Sequence, residues 1–177
     1  MNKIEYRAFE LSNNSEQNTV EGYATKFAKP YLFLRHGGND YFEQIDEKAF
    51  DNADLSDVIM QYDHEGKVLA RTSNNTLEVA VDNIGLRIKA DLSKSENARN
   101  LYEEIQNGLV TKMSFSFSVV EESFNQGTRT RRITKIGKLY DVSAVSIPAN
   151  DDTEIYVRHF VKNAELELLK LKIKLFN

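Results

Sequence analysis

The sequence predicts an α+β fold whose core is a mostly antiparallel sheet or barrel-like β structure flanked by helices, the last of them C-terminal. Three observations lead there. Six or more short segments alternate apolar and polar residues at the two-residue period of strands. One internal stretch combines a capping signal with apolar residues three and four apart, and a second helical stripe closes the chain. At 177 residues the chain has the size of one domain, expected over 1–160, with 161–177 as a helical tail. Ten Phe and eight Tyr supply a core, and 41% hydrophobic with 28% charged residues is a globular composition.

Ile4 to Glu10 and Thr19 to Phe27 read as β segments around the polar turn Ser12-Asn13-Asn14-Ser15. After Pro30 come the aromatic segment Tyr31 to Leu34, the turn-rich loop Arg35 to Asp40, and a strand from Tyr41 to Ile45. Glu47 to Ala53 suggests a helical turn. Val58 to Tyr62 is a compact apolar strand that hands Asp63-His64-Glu65-Gly66 to a loop. Leu77 to Val81 and Leu86 to Asp91 form a hairpin through Asp82-Asn83-Ile84-Gly85. Ser93-Lys94-Ser95-Glu96 fits a capping box, Gly108 a stop, and Ala98, Leu101, Ile105 and Leu109 the buried stripe of the helix between them. Arg129 to Leu139 and Tyr140 to Ile147 read as two further strands, and Glu154 to Phe160 as another. Leu166, Leu169, Ile173 and Phe176 favour a terminal amphipathic helix over the period-two alternative in Leu171 to Leu175.

The composition removes several function classes. A net charge of −4 and a pI near 5.5 argue against broad attraction to nucleic acid or anionic lipid. With no cysteine there are no disulfides, thiolate zinc sites or cysteine nucleophiles, which is compatible with a reducing compartment. The start of the chain lacks an apolar signal region and no run approaches membrane-spanning length, so a soluble, non-exported protein is expected, without membrane partners.

The stretch that organises the rest is Lys112-Met113-Ser114-Phe115-Ser116-Phe117-Ser118-Val119. As a strand it puts Met113, Phe115, Phe117 and Val119 on one face and three serines on the other. Its apolar side would hold it rigidly while a serine meets chemistry. The same pattern also describes a half-exposed strand whose serines face water. A serine nucleophile needs a base, and the chain has three histidines. His36 lies in a glycine-rich loop and His159 in a strand-like segment where packing is the simpler role. His64, at the end of an apolar run, is the best placed. Its orienting acid must be distant in sequence, because Asp63 and Glu65 flank it on an extended chain and point away. Asp141 qualifies, opening the otherwise apolar or small strand Val142 to Ile147, where an unmet carboxylate would be costly. The histidines show no zinc-protease spacing, and Gly37-Gly38 lacks a phosphate-loop context. Arg129, Arg131, Arg132, Lys135 and Lys138 read as a solvated strand face, so no nucleic-acid partner is expected.

In order, these pieces resemble the prohead proteases of tailed bacteriophages, a group related to the herpesvirus assemblins. The resemblance is carried by Gly22-Tyr23-Ala24 with Phe27, Asp63-His64 followed by Val68-Leu69-Ala70-Arg71-Thr72, Gly85-Leu86, Gly108-Leu109 leading to Met113-Ser114-Phe115-Ser116-Phe117, and the run from Leu139 to Asn150. It spans about Thr19 to Tyr156. It implies an assemblin-like β-barrel core wrapped by helices. It also implies a serine endopeptidase that needs no metal or cofactor, with His64 as general base, Ser114 as nucleophile and Asp141 as third member. Two positions depart from the family pattern: Ser116 stands where glycine is usual, and Asp141 where glutamate is common. Ser114 and Ser116 share a face, so the residues alone leave both open as nucleophile; the motif position favours Ser114. Oxyanion donors would come from backbone near Ser114, the Pro148-Ala149-Asn150 loop, or Arg71. The implied partners are the phage major capsid protein and scaffolding protein, with possible self-association and self-cleavage, inside the assembling procapsid in the host cytoplasm. The terminal helix around Glu165 to Lys170 is expected to dock on the scaffold or on a second copy. A non-enzymatic assembly protein with the same fold is the alternative.

Overall fold

The computed structural model describes residues 4–14, 18–27 and 29–146, the first of these for its backbone. Ten strands and a single α-helix make up this part of the chain. They are β1 (Ile4–Asn14), β2 (Thr19–Lys26), β3 (Tyr31–His36), β4 (Asn39–Ile45), β5 (Ile59–Tyr62), β6 (Glu65–Arg71), β7 (Leu77–Val81), β8 (Gly85–Asp91), α1 (Glu96–Gln106), β9 (Lys112–Asn125) and β10 (Thr130–Val145).

The strand order β3-β4-β10-β9-β1-β2-β8-β7 runs without closing on itself, and β5 and β6 branch from β10. β1 is the hinge of this arrangement, because Ile4–Glu10 pairs with β9 whereas Leu11–Asn14 pairs with β2. Most pairs are antiparallel, but β4 and β5 both run parallel to β10. The expected α+β fold with a barrel-like core flanked by helices is therefore corrected: the described residues form a mostly β structure with open, mixed pairing and one helix. Alternation of apolar residues specifies which face of a strand is buried, but not which edges meet, so closure was not written in the pattern. The expected C-terminal helix and the Glu154 to Phe160 strand lie outside the described residues.

Several elements differ in detail. The helix starts two residues later than the capping box suggests: Ser95 is the N-cap, its Oγ accepting from the Ala98 N–H at 3.2 Å. Ala98, Leu101, Tyr102 and Ile105 face the core, while Leu109 is 73% exposed, because Gly108 at φ +73° turns the chain out of the helical stripe. β6 was not anticipated, since Glu65 to Val68 are exposed and show no alternation. The two late strands are one, β10.

The core gathers Ile45, Met60, Leu86, Ile88, Leu92, Met113, Ile133, Ile136 and Leu139 around Phe115 and Phe117, whose rings stack with centroids 4.6 Å apart. These phenylalanines are two apart on β9, so their stacking anchors the apolar face of that strand. Elsewhere backbone meets backbone: a Cβ on Gly85 would lie 1.9 Å from the Thr25 carbonyl oxygen across the β2–β8 pair. Gly85→Ala is expected to lose about 3 kcal/mol of stability, at the upper end of overpacking costs, because the obstacle is main chain. Urea unfolding measures this, and a loss under about 0.5 kcal/mol would mean that β2 and β8 separate freely.

Candidate active site

His64 sits in a two-residue hairpin turn. Tyr62 and Glu65 pair across β5 and β6, and the residues between them, Asp63 at φ +48° and His64 at φ +60°, are both in the left-handed region. That is the backbone of a type I′ turn, which usually carries Asn-Gly, and Asp and His are among the few other residue types that tolerate it. The tight turn folds the imidazole back over β10. There Nδ1 meets Asp141 Oδ1 at 2.7 Å, with only 6% of the His64 side chain and 8% of the Asp141 side chain exposed.

Asp141 faces the imidazole because of an irregularity in β10. Leu139 lies opposite Phe117 and Val142 opposite Phe115, both on the core side, yet Asp141 lies opposite Ser116 on the other side. Strict alternation from Leu139 would have put Asp141 in the core. The register shifts between Leu139 and Asp141, where two residues of β10 face one step of β9. This β-bulge reverses the parity and turns the carboxylate onto the serine face.

That face is buried, with Ser114 4% exposed and Ser116 and Ser118 each 1% exposed. It is a packed polar layer, and the water-facing reading of the serine strand does not hold. Its hydroxyls have different fates. Ser116 donates to Asp141 Oδ2, and Ser143 donates to Oδ1 at 2.7 Å. Ser118 accepts from the Lys138 N–H at 3.1 Å. Ser114, opposite Ser143 and diagonal to Asp141, makes no side-chain hydrogen bond among the described residues. The structure thus joins His64 to Asp141 directly and puts Ser114 on the neighbouring rung of the same face.

A histidine whose Nδ1 is held by a buried carboxylate, beside a serine hydroxyl on a rigid strand, has the parts of a serine hydrolase. The family model of the caudovirus prohead serine protease matches residues 2–167 of the chain. The chain belongs to this family. No curated protein and no solved structure matches it. As a prohead protease it is a hydrolase of bacteriophage capsid maturation, acting in the assembling procapsid. No helix among the described residues is long and apolar enough to cross a membrane.

The other sequence candidates of this protease resolve less favourably. Arg71 holds Asp57 with two hydrogen bonds, Nε to Oδ1 at 2.7 Å and Nη2 to Oδ2 at 2.6 Å, so its guanidinium is already engaged. His36 is exposed at the end of β3, next to the β3–β4 turn. His159 and the Pro148-Ala149-Asn150 loop lie outside the described residues. Arg131 pairs with Glu43 and Glu122, Arg132 with Asp46, Lys135 with Glu121 and Lys138 with Asp54, so these cations of the basic strand answer carboxylates of this chain. Sequence reasoning missed Ser143 and the part Ser116 takes. The signal for Ser143 was its place two residues beyond Asp141, which puts both on one face of the strand.

Burial pushes the Asp141 carboxyl up, but the hydrogen bond and charge of His64, with the hydroxyls of Ser116 and Ser143, outweigh it and hold the group below its ordinary value of 3.8. A depressed native pKa contributes stability that is present above the unfolded value and is lost as pH falls through the native one. Wild-type protein is therefore expected to lose more stability than Asp141→Asn on acidification below about pH 4. Urea midpoints at pH 7 and pH 3 give the comparison, and equal losses in the two proteins would contradict the assigned sign.

Proposed function

We propose that this chain is the maturation endopeptidase that cuts the scaffolding protein, or the scaffolding segment of the capsid protein, and also cleaves itself. In this reading Ser114 is the nucleophile, His64 the general base and Asp141 the acid that orients it. The observation that carries the reading is the buried His64 Nδ1–Asp141 Oδ1 contact of 2.7 Å, beside the rung that bears Ser114.

The chemistry follows from that contact. The Asp141 carboxylate accepts a hydrogen bond from Nδ1–H, which fixes the tautomer and makes Nε2 the basic nitrogen. Ser114 Oγ attacks the carbonyl carbon of the scissile peptide while its proton passes to Nε2. The resulting imidazolium is stabilised by Asp141. Collapse of the tetrahedral intermediate breaks the C–N bond, and the leaving amine takes the proton from Nε2. A water molecule then gives a proton to Nε2 and attacks the acyl-enzyme ester, and the proton returns to Ser114 Oγ as the new carboxyl product leaves. Backbone N–H groups are the natural oxyanion donors, since Arg71 is committed to Asp57.

The bond of Ser116 to Asp141 Oδ2 argues against it as nucleophile, since its proton is given to the acid and not to the base. Serine in place of the usual glycine suits the shorter aspartate: the carboxylate gains a donor that holds it where His64 can reach it. Co-expression with the capsid and scaffolding proteins of the phage separates the roles. Ser114→Ala and His64→Ala are expected to leave both proteins uncut. Ser116→Ala is expected to cut them about tenfold more slowly and to lose about 2 kcal/mol of stability, the worth of a hydrogen bond to a charged group. Intact-mass measurement of each variant reads processing and self-cleavage together. Normal processing by Ser114→Ala would overturn the reading and leave a non-enzymatic assembly protein in its place.

A further inference from the structure

The turn that carries His64 is intrinsically unfavourable. Two consecutive non-glycine residues have positive φ, a conformation costly for ordinary L-residues and less so for Asp and His. Such a turn keeps one geometry only where its surroundings impose it. The contacts that do so converge on Asp63. Its N–H donates to the Ala144 carbonyl at 2.9 Å. Its carboxylate accepts from the Ser146 N–H at 2.9 Å through Oδ1 and from Ser146 Oγ at 2.8 Å through Oδ2. Ala144 is the penultimate residue of β10, the strand that also bears Asp141, and Ser146 directly follows its last residue.

We propose that Asp63 is a positioning residue for His64, a clamp that fastens the β5–β6 turn to the end of β10 so that the imidazole stays in register with Asp141. The inference rests on the reading of His64 as general base. The bond to Asp141 holds one atom of a ring at the tip of a hairpin. The three bonds at Asp63 fix the main chain one residue before it, and so the direction in which the His64 side chain leaves the backbone. β5 and β10 run parallel and are in register from Ile59–Asp141 to Tyr62–Ala144, and the clamp extends that register past the end of β5 into the turn. The carboxylate takes both donors of one residue, a bidentate arrangement that sets angle as well as distance.

Three substitutions in the full chain test this. Asp63→Gly relaxes the backbone at positive φ and keeps the main-chain bond to Ala144, but removes both carboxylate bonds of the clamp. Asp63→Asn keeps it, since the amide oxygen accepts from the Ser146 N–H and the amide nitrogen donates to Ser146 Oγ. Ser146→Ala removes one bond from outside the turn. Two readouts are used: the rate of covalent labelling by a fluorophosphonate, and the downfield proton resonance of His64 Nδ1–H, assigned by its loss in His64→Gln. Asp63→Gly is expected to slow labelling about tenfold to a hundredfold and to broaden the resonance by solvent exchange, with folding retained. Asp63→Asn is expected to restore both, and Ser146→Ala to fall between. An unchanged resonance in both Asp63→Gly and Ser146→Ala overturns the clamp. If wild-type protein fails to label while its resonance still responds to Asp63→Gly, the clamp stands and the base reading falls.

Discussion

A carboxylate cannot be buried in a sheet unless its charge is met, and the centre of this protein is arranged around meeting that of Asp141. Removing an ion from water costs several kcal/mol, and it is tolerated only where hydrogen bonds replace the lost hydration. Asp141 accepts from His64, Ser116 and Ser143, one on Oδ2 and two on Oδ1. Each donor comes from a different part of the chain: the β5–β6 turn, β9 and β10 itself. The carboxylate therefore does structural work across three strands, and the position of His64 is part of the same solution. In the proposed mechanism this matters, because an acid that is already fully solvated by fixed donors has little to reorganise when the imidazole becomes charged.

The bulge in β10 makes this layer possible. Without it, the apolar positions that pair with Phe117 and Phe115 would be reached by the same parity as Asp141, and the charge would face the hydrophobic core. With it, one strand serves two purposes in sequence: Leu139 belongs to the core, and two residues later the chain faces the polar layer. The stacked Phe115 and Phe117 lie beneath the layer and fix the strand from below, so Ser114 and Ser116 have little freedom of position.

How legible this was differs from residue to residue. His64, Ser114 and Asp141 were candidates from the residues and their resemblance to prohead proteases, because their types and order carry chemistry directly, and they remain the residues of the proposed mechanism. The contact of His64 with Asp141 was not legible, since the alternation breaks at Leu139 to Asp141 and such a break reads equally as the end of one strand and the start of another. That is why β10 looked like two strands. The turn was hidden for a related reason: Asp-His is not the residue pair that signals a type I′ hairpin, so β6 beyond it went unseen. The openness of the sheet was invisible because it depends on which edges pair, and β1 answers that by changing partner midway. The helix was placed almost correctly because periodicity and capping are local, and its start slipped between two serines of equal capping ability, Ser93 and Ser95.

The serine face shows how burial can single out one hydroxyl among several of the same kind. A buried hydroxyl that is engaged stabilises the fold, but its bond must be broken before it can react. Ser118 is engaged by a main-chain N–H of β10, and Ser116 and Ser143 by the carboxylate. Ser114 alone of these four makes no side-chain hydrogen bond among the described residues, and it is also the most exposed of them at 4%. An attacking oxygen needs a strand that fixes it and neighbours whose bonding is complete without it, and Ser114 has both. The residue that the fold leaves least engaged is the proposed nucleophile, and Ser116 is drawn to the acid instead.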